Sequence, residues 1–253
     1  MDFGVFIGIG VAFGMIILGN VMEGGHLGSL VGGPAFIIVV GGTVGAVIVQ
    51  FPLPIIAQAL GQAKKLTQKQ AVDPLRIVEQ IVDFAQRARK DGILALEKVA
   101  GEAAHPFLAR GILMAVDGAD SAAIRSTLEV LVEQEEEHVD NAAKVFEAGG
   151  GYSPTVGIIG AVLGLIHVMS NLSDINKVGA GIAAAFVATI YGVAVANIFF
   201  LPLAGRIKVR HQEDARLMQL MLTGILAIQE GLNPKVVRER LEAFLPSHDA
   251  PKK

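Results

Sequence analysis

Apolar positions are laid out along this chain in two ways. In four stretches they run on without a single charge: Phe3–Val21, Leu30–Phe51, Tyr152–Asn171 and Gly179–Leu203. Each is close to the roughly 20 residues that a helix needs to cross a hydrocarbon core. Elsewhere they become periodic, spaced for one face of a helix with charges on the other. The pattern predicts an all-α integral membrane protein. Transmembrane helices 1 and 2 fall in residues 1–53, a large helical domain in 54–151, transmembrane helices 3 and 4 in 152–204, and a tail in 205–253 that is amphipathic to Lys253.

Local signals set the ends of these elements. Pro52 and Pro54 stop the second span. Asp73-Pro74 reads as an N-cap followed by proline at the first helical position. It heads a helix whose apolar side is Leu75, Ile77, Val78, Ile81, Val82 and Phe84. Gly92 breaks that helix, Asp120 caps a longer one, and Asn233-Pro234 starts a last short one. Pro154 is expected in the first turn of the third span, where a missing N–H costs nothing. A cleaved signal peptide is disfavoured for the first span, because no basic segment precedes the apolar run. Gly157, Gly160 and Gly164 recur along one flank of the third span, and Ala185, Thr189, Gly192 and Ala196 share a face of the fourth. Such small-residue stripes let helix backbones approach, within one chain or between chains.

Composition sharpens this picture. Of 253 residues, 52% are hydrophobic and 30 are glycine, and the mean hydropathy is +0.54, which is too apolar for an ordinary soluble surface. A formal charge of -3, with no basic stripe, offers nucleic acid no footing. Cysteine is absent, so disulfides and thiolate metal sites are not expected. No nucleophile elbow, Walker loop or metal-spaced histidine cluster appears, so neither an enzyme nor a cofactor or metal site is expected.

Charge placement predicts the orientation. Residues 54–151 hold 11 Lys/Arg and 15 Asp/Glu. The acidic run Glu133–Glu137 reads as a solvated helical face. Lys64-Lys65 follow the second span and Arg206, Lys208 and Arg210 follow the fourth, whereas the two short connections hold only Lys177. The positive-inside rule then places both termini and the main loop in the cytoplasm of a multi-pass membrane protein.

None of the four spans holds Asp, Glu, Lys or Arg. An ion path needs an ionisable or coordinating group at depth, and the polar candidates here are His167, Thr155, Thr189, Thr43, Tyr191, Asn197, Asn20 and Gln50. A titrating carboxylate for any ion movement must therefore come from another chain. His167 reads as an interfacial or packed residue ahead of a relay. The Thr189 hydroxyl has two readings, a bond to its own i−4 carbonyl or a contact with a partner helix.

Several motifs together resemble the flagellar motor stator A subunit, the MotA/PomA family, over nearly the whole chain. They are Glu23-Gly-Gly-His26, Gly41-Gly-Thr43, the segment Arg89–Glu97, and Tyr152-Ser-Pro154 with Gly160-Ala-Val-Leu-Gly164. The resemblance implies a bacterial inner-membrane subunit. Five A chains (a homopentamer) would surround two copies of a MotB-type single-span partner that carries the ion-binding aspartate, and the cytoplasmic domain would engage the rotor protein FliG. By the same resemblance, Arg89 and Glu97 would be the charged rotor contacts, Pro154 the proline beside the partner's aspartate, Thr189 the threonine of the fourth span, and Pro234 the torque-related proline of the tail. Without the resemblance, Arg89 and Glu97 read as ordinary exposed charges, worth about 0–1 kcal/mol as a pair. No cofactor is implied. Membrane lipid is the remaining expected partner.

The resemblance also bears on the ion. Sodium-type members carry threonine after the first glycine of the Gly-x-x-x-Gly pair, where this chain has Ala161. A desolvated hard cation wants several oxygen ligands, and a methyl group supplies none, so proton coupling is expected. The alternatives are a sodium-coupled stator, a proton-driven energiser of the ExbB/TolQ type, and a membrane scaffold without transport.

Overall fold

A computed structural model describes residues 4–68 and 72–245, with Asn176 described by its backbone alone. Phe3, Lys253 and the rest of the tail beyond residue 245 lie outside the described residues. The elements run α1 (Gly4–Met22), a 3-10 turn Leu27–Leu30, α2 (Gly33–Phe36), a π segment Ile37–Gly41, α3 (Gly42–Gln50) and α4 (Leu53–Lys65). They continue with α5 (Pro74–Asp91), a 3-10 turn Ile93–Leu96, α6 (Glu97–Ala100), α7 (Pro106–Val116), α8 (Ser121–Met169) and α9 (Ile175–Ala194). A π segment Val195–Phe200, α10 (Leu201–Gln229) and α11 (Pro234–Glu242) complete them. Among the described residues, four helices, Gly4–Met22, Leu27–Gln50, Ser121–Met169 and Lys177–Gln229, are long and apolar enough to cross a membrane. The chain is an all-α integral membrane protein.

The fold divides into two compact units, one drawn from Met1–Lys69 and His138–Val209, the other from Gln70–Glu137 and Arg210–Lys253. In the first unit, α1 buries none of its residues, and a side chain at Gly8, Gly10, Gly14 or Gly19 would meet open space. Gly8, Gly10, Gly14 and Gly19 of the first span therefore meet no neighbour among the described residues. The second span is anchored instead, through Val47, to Ala59, Phe146, Leu203 and Ile207.

Pro154 is not at a helix start. It lies inside α8, a single helix of 49 residues, about 73 Å long at 1.5 Å per residue. Proline there removes one i→i−4 bond, the one Gly150 would have accepted. Ending the helix in lipid would strand several backbone groups, whereas passing through loses one. Two of the three glycines before the proline, Gly149 and Gly150, make room for what packs there. A Cβ on Gly149 would stand 2.6 Å from the Phe200 ring, and one on Gly150 would stand 2.5 Å from Leu201.

The second unit is a conventional helical core. Ile77, Ile81 and Phe84 of α5, Leu96, Leu108 and Ile112, Ile124 and Leu128, and Leu220, Met221 and Ile225 are all essentially inaccessible. The expected caps form: the Asp73 side chain accepts from the Leu75 N–H (3.0 Å), Asp120 from the Ala123 N–H (2.7 Å) and Asn233 from the Lys235 N–H (3.0 Å). Gly92 ends α5 at φ 81°, a left-handed conformation that glycine adopts freely.

The cap of α7 is a histidine. His105 Nδ1 accepts the Phe107 N–H at 3.1 Å, which only a ring unprotonated at that nitrogen can do. Burial lowers its pKa from the ordinary histidine value, against the opposing pull of Asp214. A folded pKa below the unfolded one means that the stabilisation is complete above about pH 6.5 and is lost as pH falls below that value toward the folded pKa. The melting midpoint of the chain in detergent should therefore fall between pH 7.5 and 5.5 by more in the native chain than in His105→Asn, whose amide oxygen caps without titrating. Equal falls would refute the cap's role.

Candidate ion-pathway seam between the third and fourth spans

Along α8 and α9 the facing positions pair as Gly157 with Gly192, Gly160 with Ala188, Gly164 with Ala185 and Val168 with Gly181. Rising numbers on one helix meet falling numbers on the other, so the two spans are antiparallel. At Gly192 a Cβ would lie 2.7 Å from the Ser153 carbonyl oxygen, 3.0 Å from the Gly157 Cα and 3.2 Å from the Pro154 Cα. These neighbours are backbone and cannot rotate away, so only glycine fits. The buried Ser153 hydroxyl donates to the Gly192 carbonyl at 2.9 Å and fixes the register. The second span joins from the side, with Gly42 against Val156 and Ile38 against Gly160.

On antiparallel helices, the residues that follow a facing pair turn to the same flank of the seam. Ala161 follows Gly160, Thr189 follows Ala188, and Pro154 lies seven residues before Ala161, two full turns along the same stripe. The structure thus brings Pro154, Ala161 and Thr189 onto one flank, each of them half-buried. Ile158, Leu165, Phe186 and Val193 share this flank and are exposed, Phe186 at 67%. The flank is an apolar strip interrupted by one hydroxyl and one imperfect helical turn. Thr189 Oγ1 rests 3.3 Å from its own Ala185 carbonyl.

The remaining polar candidates mostly close local bonds. Thr43 Oγ1 donates to the Val39 carbonyl (2.6 Å) inside the π segment, Thr155 Oγ1 to the Tyr152 carbonyl (2.8 Å), and Asn197 Nδ2 to the Val193 carbonyl (2.9 Å). Tyr152 donates to Gln50 Oε1 at 2.8 Å, tying the end of the second span to the turn before Pro154. Asn20 Nδ2 is buried with no partner, and His167 is exposed on α8.

Two roles escaped the sequence reading. Ser153 sits inside a motif that reading singled out, but an isolated serine gives no sign of which carbonyl it will meet. Tyr191 accepts the Gly32 N–H (3.1 Å) and donates to the Leu30 carbonyl (2.6 Å). It thereby satisfies the backbone where the chain breaks before α2, a necessity wherever water is scarce. Phe36 packs edge-on against its ring at 6.3 Å.

The other site candidates lie in the second unit. Arg89 in the last turn of α5 and Glu97 at the start of α6 are both exposed. They flank a turn that exposes Leu94, and neither has an ion-pair partner among the described residues. Pro234 stands in the first turn of α11, whose Val237 and Leu241 enter the core.

The comparisons with known proteins decide the family. Residues 6–92 match the family model for the N-terminal part of motility protein A, and residues 99–220 that for the MotA/TolQ/ExbB proton channel family. Motility protein A of Bacillus subtilis is 33% identical, over 98% of this chain and 93% of its own length. The chain belongs to the motility protein A family. Chemotaxis protein PomA of Vibrio alginolyticus is also 33% identical, over 97% of this chain and 96% of its own length. Of solved structures, C. jejuni MotAB superposes with a TM-score of 0.93 at 31% identity, covering 99% of this chain and 98% of that one. The flagellar MotAB stator complex of Bacillus subtilis gives 0.89 at 33% identity, covering 96% of each chain. This motility protein A homologue is thus built as a channel subunit and not as an enzyme.

The seam makes a ranked prediction. Gly192→Val drives a branched side chain into fixed backbone and should cost about 1–3 kcal/mol or more, whereas Ser153→Ala loses one buried hydrogen bond, about 0.5–1.5 kcal/mol. In a size-exclusion thermostability assay, Gly192→Val should lose most of its folded peak at a temperature that Ser153→Ala survives. The reverse order would contradict the packing.

Proposed function

We propose that this chain is the A subunit of a proton-driven flagellar stator in the bacterial inner membrane. The observation that carries the reading is the end-to-end likeness to motility protein A chains, including MotAB complexes, at TM-scores of 0.93 and 0.89. In this reading five copies surround two MotB-type partners, and the partner's membrane aspartate lies against the flank of Pro154, Ala161 and Thr189. The absence of any acid or base from the four apolar runs supports a carboxylate brought by the partner. Both termini and the loop between spans two and three face the cytoplasm, where the exposed charges of Arg89 and Glu97 and Pro234 of the tail act on the rotor protein FliG. Protonation of the aspartate changes which contacts it prefers along the apolar strip, the ring steps, and the rotor is pushed. The driving energy is about 2.3 kcal/mol per charge per 100 mV.

The match of residues 6–92 to the motility protein A N-terminal model favours a stator over an ExbB/TolQ energiser. Ala161 favours protons over sodium, since among the strip residues named above Thr189 alone carries a side-chain oxygen.

Both parts are tested in a strain whose only stator contains this chain. Swimming speed should be unchanged when external sodium is replaced by potassium at constant pH and potential, and should vanish when the proton gradient is collapsed. Loss of speed on removing sodium would overturn the proton assignment. In the same strain, Arg89→Glu or Glu97→Lys should cut motility severely without altering membrane insertion, with partial rescue by opposite changes in the rotor protein. Normal swimming with both reversals present would refute the rotor contact.

A further inference from the structure

Helix α4 begins three residues after α3 ends, where the second span leaves its apolar run. Its inner side, Ile55, Ile56, Ala59 and Ala63, with Leu66 just beyond its end, packs into the core that holds Val47 and Phe146. Its outer side presents Leu53, Ala57, Leu60 and Lys64 at helical spacing, and the two leucines are 67% and 62% exposed. The helix has no acidic residue, and its last turn carries Lys64 and Lys65.

Those lysines differ from the other bases of this unit. Lys208 pairs with Glu147 at 2.7 Å and Lys144 with Asp140 at 2.6 Å. Neither Lys64 nor Lys65 has an ion-pair partner among the described residues. An apolar stripe that ends in unpaired cations, on a helix joined directly to a membrane span, has the chemistry of an interfacial helix on an anionic bilayer surface.

We propose that α4 is an anionic-phospholipid site, with Leu53 and Leu60 at the acyl boundary and Lys64 and Lys65 holding a phosphate headgroup. The choice of the cytoplasmic leaflet rests on the orientation proposed above; the lipid chemistry does not. The site reaches the ion pathway through the second span: Gln50, three residues before α4, receives the hydrogen bond of Tyr152 two residues before Pro154. Lipid held at α4 would therefore fix the height of Gln50 and with it the turn that contains the proline.

The test is native mass spectrometry of the full chain in mild detergent, titrated separately with dioleoyl phosphatidylglycerol and dioleoyl phosphatidylcholine. The native chain should prefer phosphatidylglycerol. Lys64→Gln/Lys65→Gln should weaken that lipid by about thirty-fold, from two lysines at about 1 kcal/mol each and tenfold per 1.4 kcal/mol, and leave phosphatidylcholine unchanged. Equal phosphatidylglycerol affinity in the two proteins would overturn the proposal. In nanodiscs, a fluorophore on Leu60→Cys should be quenched by brominated lipid. Cross-linking of Leu60→Cys between two copies, without quenching, would overturn it in favour of a second copy of the chain as the occupant. A membrane-impermeant thiol reagent should reach Lys65→Cys only in inverted vesicles. Labelling in intact cells would overturn the orientation while leaving the lipid titration to be judged separately.

Discussion

Gly157 and Gly192 stand backbone to backbone across the third and fourth spans, where a β-carbon on either would lie 3.0–3.1 Å from the other's Cα. In lipid no hydrophobic force holds helices together, so their association depends on close van der Waals contact and hydrogen bonds. The glycine and alanine stripes supply the contact, and the Ser153 hydroxyl on the Gly192 carbonyl supplies the register. From that register follows the alignment of Pro154, Ala161 and Thr189 on one flank. A slip of one residue would rotate them by about 100° and scatter them.

The same seam explains why a proline is tolerated inside a membrane-crossing helix. Proline alone would kink or break a 49-residue helix. Here Phe200 and Leu201 fill the space over Gly149 and Gly150, and Gly192 stands against Pro154 itself, so the proline turn is enclosed by neighbours. The fourth span carries its own irregularity, the π segment Val195–Phe200, and the second span another over Ile37–Gly41. π segments concentrate at functional sites, and these two lie beside the proline turn and beside Gly160. Spans two and four thus each depart from regular α geometry where they meet the third span, whose continuous helix carries the proline.

Much of this was legible in the sequence, for identifiable reasons. Uninterrupted apolar runs report their membrane solvent directly, and caps such as Asp73-Pro74 and Asn233-Pro234 act within two residues of themselves. The stripe Gly157, Gly160, Gly164 could be placed on one flank from spacing alone. Pro154 misled because proline is a helix-start signal in water, where a broken helix is solvated; in lipid, the cost of breaking exceeds the cost of one missing bond. Ser153 and Tyr191 were illegible as seam and clamp because their partners, Gly192 and the Leu30–Gly32 backbone, lie 39 and about 160 residues away. Thr189 was left between two readings, and in the isolated chain its hydroxyl faces its own helix. The structural division, with breaks near residues 69, 137 and 209, follows packing, which helices α8 and α10 carry past any boundary that composition marks.

The third and fourth spans meet within one chain in the Gly164–Ala185 register. The chain has no cysteine, so a Gly164→Cys/Ala185→Cys pair can be oxidised without background. A Cβ at Gly164 lies 3.0 Å from that of Ala185, a few tenths of an ångström short of disulfide range. Mild oxidation in native membranes should give near-complete intramolecular cross-linking, seen as a single monomer band protected from thiol labelling. Free thiols after oxidation, or a dimer band in place of the protected monomer, would contradict the seam and with it the alignment of Pro154, Ala161 and Thr189.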